Sequence, residues 1–244
     1  MAWHLSSQGH SCSLLSPLNT DKTSDDIIQI VQECDINFIG PRFEGKIPGQ
    51  KIEIRQDGEK IFSPFDHGVL KSFEQSAGRV DFQDIDIVIG PVHKETLHFY
   101  ERFIHERLPH QKLFLDFTTL REFNYDPTLL KKLISQSELI QFSPEENSKN
   151  LVEKLLEIEL SKEQIMLITM GSQGGVFKTS QSQSRFHAPN LDKIVDTTGA
   201  GDAFFSSFIA SYLSHKEIEI CIENAKKFAA LAISRVGSTT VNLK

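Results

Sequence analysis

The chain has 244 residues, 39% hydrophobic and 24% charged, which fits one globular domain, or one with a small appendage, and excludes a disordered or fibrous chain. Its net charge of −7 disfavours a nucleic acid or an anionic membrane as partner. Three scattered cysteines, Cys12, Cys34 and Cys221, show neither metal-ligand spacing nor a disulfide framework and suit a reducing, cytoplasmic location.

At the amino end, "MAWHLSSQGHSCSLLSP" lacks the basic-then-apolar pattern of a secretory signal, and no apolar run is long enough to cross a bilayer. "INFIG" (36–40) reads as a buried strand. Residues 41–65 differ: "GKIPGQKIEIRQDGEKIFSPF" alternates apolar with polar residues around Asp57-Gly58, a β-hairpin with one solvent-facing side. Inserted into an α/β chain, such a hairpin is expected to serve as a lid or an edge contact rather than as core. Beyond it, "IDIVIG" (85–90), "KLFLDF" (112–117), "ELIQFS" (138–143) and "IMLITMG" (165–171) read as further buried strands. Between them, "ETLHFYERFIHERL" (95–108) and "NSKNLVEKLLEIEL" (147–160) place apolar residues at helical spacing, among them Leu97, Tyr100, Phe103, Ile104 and Leu108 in the first. The alternation predicts an α/β fold: a doubly wound, mostly parallel sheet with helices on both faces. The sequence holds no internal repeat.

The stretch "VDTTGAGDAFFSSFIA" (195–210) comes after a short strand-like segment ending at Val195 and opens a long helix over 202–215. The backbone N–H groups of the Gly199-Ala200-Gly201 turn fall at the helix N-terminus, where they lack intrahelical partners and form an anion site. Small side chains let the anion approach. Asp202 lies in the first turn, where the helix dipole favours its charged form. A lone G-x-G-D would be a turn and a helix start, nothing more. Here Asp196, Thr197 and Thr198 stand just upstream, and a carboxylate beside an anion hole serves base-assisted transfer of an anionic group to a hydroxyl.

"DTTGAGD" (196–202) resembles the C-terminal signature of the ribokinase-like, or PfkB, carbohydrate kinases. "ITMGSQGGVF" (168–177) is similar to the T-x-G-x-x-G segment that lies along the nucleotide phosphates in that family, although its glycines would also suit an ordinary strand corner. The helix "CIENAKKFAALAISRVGS" (221–238), with Gly237 expected as its C-terminal cap, resembles the one flanking the adenine. "LDFTTLR" (115–121) occupies the place of D-x-N-x-R, with Asp116 and Arg121 matching and Thr118 in place of Asn. "FSPEEN" (142–147) corresponds to N-x-x-E, with Glu146 matching and Ser143 in place of Asn. A second reading makes Ser143 the N-cap of the next helix and Glu146 its capping-box partner.

The resemblance implies a kinase using ATP and Mg²⁺. Asp202 would deprotonate an acceptor hydroxyl, while Gly199, Ala200 and Gly201 supply N–H groups to the migrating phosphoryl. Thr169, Gly171, Gly174 and Thr198 would line the ATP side, and Glu146 would lie near a largely hydrated Mg²⁺. Backbone oxygens of Asp196 and Thr198, with the segment near Gly237, could serve a monovalent cation such as K⁺. The acceptor would be a small-molecule sugar, or a fructosamine of the kind used by fructoselysine-type kinases, on the strength of the short hairpin lid. A homodimer joined through the lid is a further expectation.

The family's opening strand and Gly-Gly sugar-binding segment have no counterpart before residue 40. "AWHLSSQGHSCSLLSPLNTDKTSDDIIQIV" resembles the part of the family's chain downstream of them: a helix, a strand, then a G-x-D region, here Asn19-Thr20-Asp21. Residues 1–244 therefore read as one kinase domain that starts inside the first helix. That departure keeps a second reading open, a nucleotide- or sugar-binding sensor without turnover. An oxidoreductase is disfavoured, because no early strand leads into G-x-G-x-x-G. His67, His93, His98, His105, His110 and His187 show no ligand spacing and read as surface or packing residues.

Overall fold

The computed structural model describes residues 1–54, 60–78, 80–145, 148–191, 194–235 and 237. The chain opens with helix α1 (Ala2–Ser7), strands β1 (Cys12–Leu15) and β2 (Leu18–Asn19), and helix α2 (Lys22–Glu33). Asp21 caps α2, its carboxylate accepting from the Ser24 N–H at 3.1 Å. Strands β3 (Ile36–Ile39) and β4 (Arg42–Phe43) come next and pair in parallel with β1 and β2. Buried Asn19 fastens this corner: its amide donates to Gly45 O at 2.9 Å and its Oδ1 accepts from Ser24 Oγ at 2.6 Å.

The hairpin forms from β5 (Ile52–Ile54) and β6 (Lys60–Phe62), antiparallel, with a bridge between Gly49 and Asp66 extending the ladder. It is narrower than the 41–65 span read from alternation, because Arg42 and Phe43 belong to the pairing with β2. The turn expected at Asp57-Gly58 lies outside the described residues.

After α3 (Phe73–Ala77), the main sheet begins with β7 (Ile87–Pro91), succeeded by α4 (Leu97–Glu106), β8 (Lys112–Asp116), α5 (Lys131–Gln136), β9 (Leu139–Phe142), α6 (Lys149–Glu157) and β10 (Ile165–Thr169). Strands β11 (Gly175–Lys178) and β12 (Gln183–Phe186) complete it, and α7 (Ala200–Leu213) and α8 (Ile218–Ile233) close the chain. The strand order is β12-β11-β10-β9-β8-β7, parallel from β7 to β10 and antiparallel beyond.

Strand residues alternate between two cores. Leu113, Leu115, Ile140, Phe142, Met166 and Ile168 pack with Phe99, Phe103, Leu133 and Leu155, from the helices that connect the parallel strands. Phe114, Leu139, Ile165 and Leu167 pack on the other face with Phe205, Phe208, Cys221 and Ala225 of α7 and α8, and with Leu5 of α1. Burial on both faces explains why these strands read as near-continuous apolar runs.

Several boundaries differ from expectation. Helix α4 stops at Glu106, leaving Leu108 beyond it and 45% exposed. Helix α6 starts after Ser148, not Ser143, so Ser143 is no N-cap. Among the described residues of the segment ending at Val195, none lies in a strand; the Val195 and Asp196 N–H groups instead donate to Ile233 O at 2.9 and 3.2 Å. Helix α8 ends at Ile233 with Ser234 as its cap, four residues before Gly237. Gly237 therefore caps nothing, and its N–H donates to Asp196 Oδ2 at 3.0 Å.

Candidate active site

The parallel strands deliver Asp116, Ser143 and Thr169 at their carboxyl ends, the edge of an open α/β sheet where ligands bind. Helix α7 begins beside them. Gly199 is its N-cap at φ 78°, a left-handed turn that suits glycine and swings the chain from the 195–198 loop into the helix. The helix starts two residues earlier than predicted, so Ala200 and Gly201 already belong to its first turn. The Ala200 N–H donates to Thr197 O at 3.3 Å. Among the described residues, no hydrogen bond occupies the N–H groups of Gly201 and Asp202. They are orphan donors at the positive end of the helix dipole. Asp202 is exposed, and residues 199–201 are half-buried. The helix mouth thus faces solvent, while the helix body from Ala203 to Ser211 is buried.

The upstream loop is fixed by Asp196. Its Oδ1 accepts from the Thr198 N–H at 2.9 Å and from Thr198 Oγ1 at 2.7 Å, and its Oδ2 takes the Gly237 N–H. The structure thus brings together Asp196, Thr198 and Gly237, three positions that the sequence groups only by resemblance.

Asp116 forms the floor. It is buried, and burial pushes its carboxyl up to about 6; the negative charge of Asp202 adds to the rise, while the Thr118 N–H and the Gln141 amide oppose it. The Thr118 N–H reaches Asp116 Oδ1 at 2.8 Å, and Thr118 O accepts from the Ser143 N–H at 2.8 Å. This arrangement holds Thr118 at φ 50°, a left-handed conformation that a β-branched residue seldom adopts. Ser143 Oγ and Thr169 Oγ1 share a hydrogen bond at 2.9 Å, tying the ends of β9 and β10. Beyond Thr169, Gly171 opens a short 3₁₀ turn and Gly174 sits at φ 82°. A Cβ on Gly174 would lie 2.1 Å from Phe186 O, so the hairpin between β10 and β11 requires this glycine whatever else it does. Arg121 pairs with Glu145 at 2.5 Å on the surface. Glu146, the residue expected near Mg²⁺, lies outside the described residues.

Three features were invisible to motif reading. Gln141 joins Asp116 to Gly201 (3.2 and 3.4 Å). His93 Nδ1 stands 2.8 Å from Glu122 Oε1, and His67 Nδ1 2.5 Å from Glu95 Oε1. Burial raises Glu122, but the Lys94 N–H and the His93 imidazole outweigh it and hold the carboxyl below its usual range. The only available signal was a glutamine inside an apolar run; the His–Glu pairs join residues 28 or more positions apart.

Among the described residues, no group of three or more His, Cys, Asp or Glu side chains could hold a metal ion. No helix among them is long and apolar enough to cross a membrane.

Comparison with known proteins gives concordant results. The family described as pfkB family carbohydrate kinase matches residues 1–244. The Ribokinase of Schizosaccharomyces pombe is 33% identical over 95 residues, a stretch covering 39% of this chain and 29% of that protein. The match thus spans under a third of the relative's length. In the solved structures, a nucleoside kinase of Methanocaldococcus jannaschii, an archaeal member of the ribokinase family, superposes with a TM-score of 0.78 at 19% identity, covering 98% of this chain and 79% of that one. An E. coli structure in complex with ATP and Mg²⁺ gives 0.75 at 16% identity, covering 97% and 81%. These likenesses establish a ribokinase-like fold.

Proposed function

We propose a function that proceeds from one premise, that the chain belongs to the pfkB family of carbohydrate kinases: it transfers a phosphoryl group from ATP to a hydroxyl of a sugar or sugar derivative. What carries the reading is the mouth of α7, where an exposed carboxylate, Asp202, adjoins two backbone donors that have no partner among the described residues, Gly201 and Asp202 N–H. Asp202 takes the proton of the acceptor hydroxyl. The N–H groups of Gly201 and Asp202, joined by that of Gly199, hold the negative charge that gathers on the transferred phosphoryl, whereas the Ala200 N–H, expected to join them, is engaged by Thr197 O. Thr169, Gly171, Gly174 and Thr198 line the ATP side. Glu146 would be the acid that helps to hold the water shell of a bound Mg²⁺, which would supply neutralisation of phosphate charge. K⁺ beside Asp196, Thr198 and Gly237 belongs to the same reading. Residues 1–244 act as one kinase domain, in the cytoplasm, as a homodimer joined through the hairpin lids.

The short hairpin favours a fructosamine acceptor over a free pentose or hexose. The test is coupled ADP release over a panel of sugars and fructosamines. Acceptor-dependent ADP is expected, strongest with a fructosamine, and Asp202→Asn should lower turnover by about 100-fold or more while sparing ATP binding. ATP binding with no acceptor-dependent ADP from any panel member would instead mark a nucleotide-binding sensor. Normal turnover in Asp202→Asn would remove the aspartate from its role.

A further inference from the structure

Leu139, Ile140, Gln141 and Phe142 of β9 are all 0% exposed. Gln141 therefore lies where an apolar residue would need no partner and a primary amide must find several. It is paired in register with Asp116 of β8, and both point to the α7 face of the sheet, the face of Leu139 and Phe114. The two hydrogens of its Nε2 serve two acceptors, Asp116 Oδ2 at 3.2 Å and the Gly201 carbonyl at 3.4 Å. Reversing the amide would set its oxygen against a carboxylate and a carbonyl, both acceptors. The orientation is thereby fixed, and Oε1 is left buried with no hydrogen-bond partner among the described residues. A side chain kept solely for packing would not carry such an orphan.

The Gly201 carbonyl belongs to the peptide unit that also contains the Asp202 N–H. A peptide is planar, so pinning its oxygen aims its hydrogen. We infer that Gln141 is a positioning residue of the phosphoryl-transfer site, one amide that both orients the Gly201–Asp202 peptide at the mouth of α7 and holds the Asp116 carboxylate beneath it. The inference rests on the kinase reading above.

Two arms test it. The first needs neither a variant nor turnover: in the wild-type protein, the side-chain amide resonances of Gln141 should move with pH at the same midpoint as the Asp116 carboxyl. The second uses Gln141→Met, which keeps the length and removes both donors. In that variant the Asp116 ¹³C carboxyl should titrate at higher pH than in wild type, since a donor to its charged form is gone. Asp202 and His93, the other charged groups that act on Asp116, are common to both proteins. On the acceptor found in the panel, kcat should fall by about tenfold to a hundredfold, with KM for ATP within about twofold. An amide that ignores the Asp116 titration, or wild-type kcat in folded Gln141→Met, overturns the assignment. If the wild-type protein phosphorylates no acceptor, the kinase reading falls, while the titration still decides whether Gln141 holds Asp116.

Discussion

Asp116 occupies a position that disfavours its own charge. Water is excluded, and Asp202 adds like-charge repulsion. A carboxyl raised from an ordinary 3.8 to about 6 binds its proton more tightly folded than unfolded. Well below pH 3.8 the group is neutral in both states; between 3.8 and about 6 only the unfolded state gives up its proton, so the folded state loses stability across that window and the loss is complete above it. The loss at neutral pH is on the order of 3 kcal/mol, at about 1.36 kcal/mol per unit. Asp116→Asn, which keeps an oxygen for the Thr118 N–H but turns an NH₂ toward the Gln141 donor, should therefore gain stability relative to wild type as pH rises from 4 to 7.5. Urea titrations across that range check this; a difference that does not grow with pH would show that burial is not the source of the cost. Such stored destabilisation is common where a site needs a poised acid.

At the scale of elements, α7 differs from the other helices in being apolar nearly all round, with Phe205 and Phe208 at 0% exposure between the sheet and α8. Its serines keep it slim: Ser206 Oγ donates back to Ala203 O at 3.2 Å, and Ser211 Oγ accepts from Asn224 of α8 at 3.0 Å. Phe208→Ala should destabilise by about 3–5 kcal/mol, whereas Ile220→Ala, 47% exposed on α8, should stay within about 0.5 kcal/mol. Thermal melts of the two variants test the contrast. The buried strands and this helix were legible because burial writes itself as unbroken apolar runs, and small residues before such a run mark a helix mouth. Boundaries were less legible. Ser143 reads as a cap by its spacing to Glu146, yet α6 starts only after Ser148, and the Ser143 hydroxyl is engaged with Thr169 instead. Gly237 looks like a helix stop, yet its N–H is spent on a carboxylate 41 residues away. Gln141 passed as part of the buried strand "ELIQFS", because its partners lie 25 and 60 positions distant, beyond any local pattern.

For the whole molecule, the hairpin of β5 and β6 stands as its own two-stranded sheet, paired with neither the main sheet nor the β1–β3 pair. Two-stranded ribbons are marginal alone and present open edges, which is why the proposed assembly joins lid to lid. Sedimentation should give twice the chain mass for the wild-type protein and a single chain mass when residues 51–62 are replaced by a short Gly-Ser linker. A monomeric wild type would refute the lid dimer and leave the phosphotransfer reading standing.

The two halves of the candidate site come from distant parts of the chain and meet on the α7 face of the main sheet. Asp116 and Gln141 end strands whose connecting helices α4, α5 and α6 cover one face; Gly201 and Asp202 arrive on α7, which covers the other. During synthesis, the floor is therefore made well before the helix that completes it. Until residues 200–213 leave the ribosome, Phe114, Leu139 and Leu167 lack the aromatic side chains of α7 to pack against, and a nascent chain stalled before that point would expose a sticky apolar sheet and hold no phosphate.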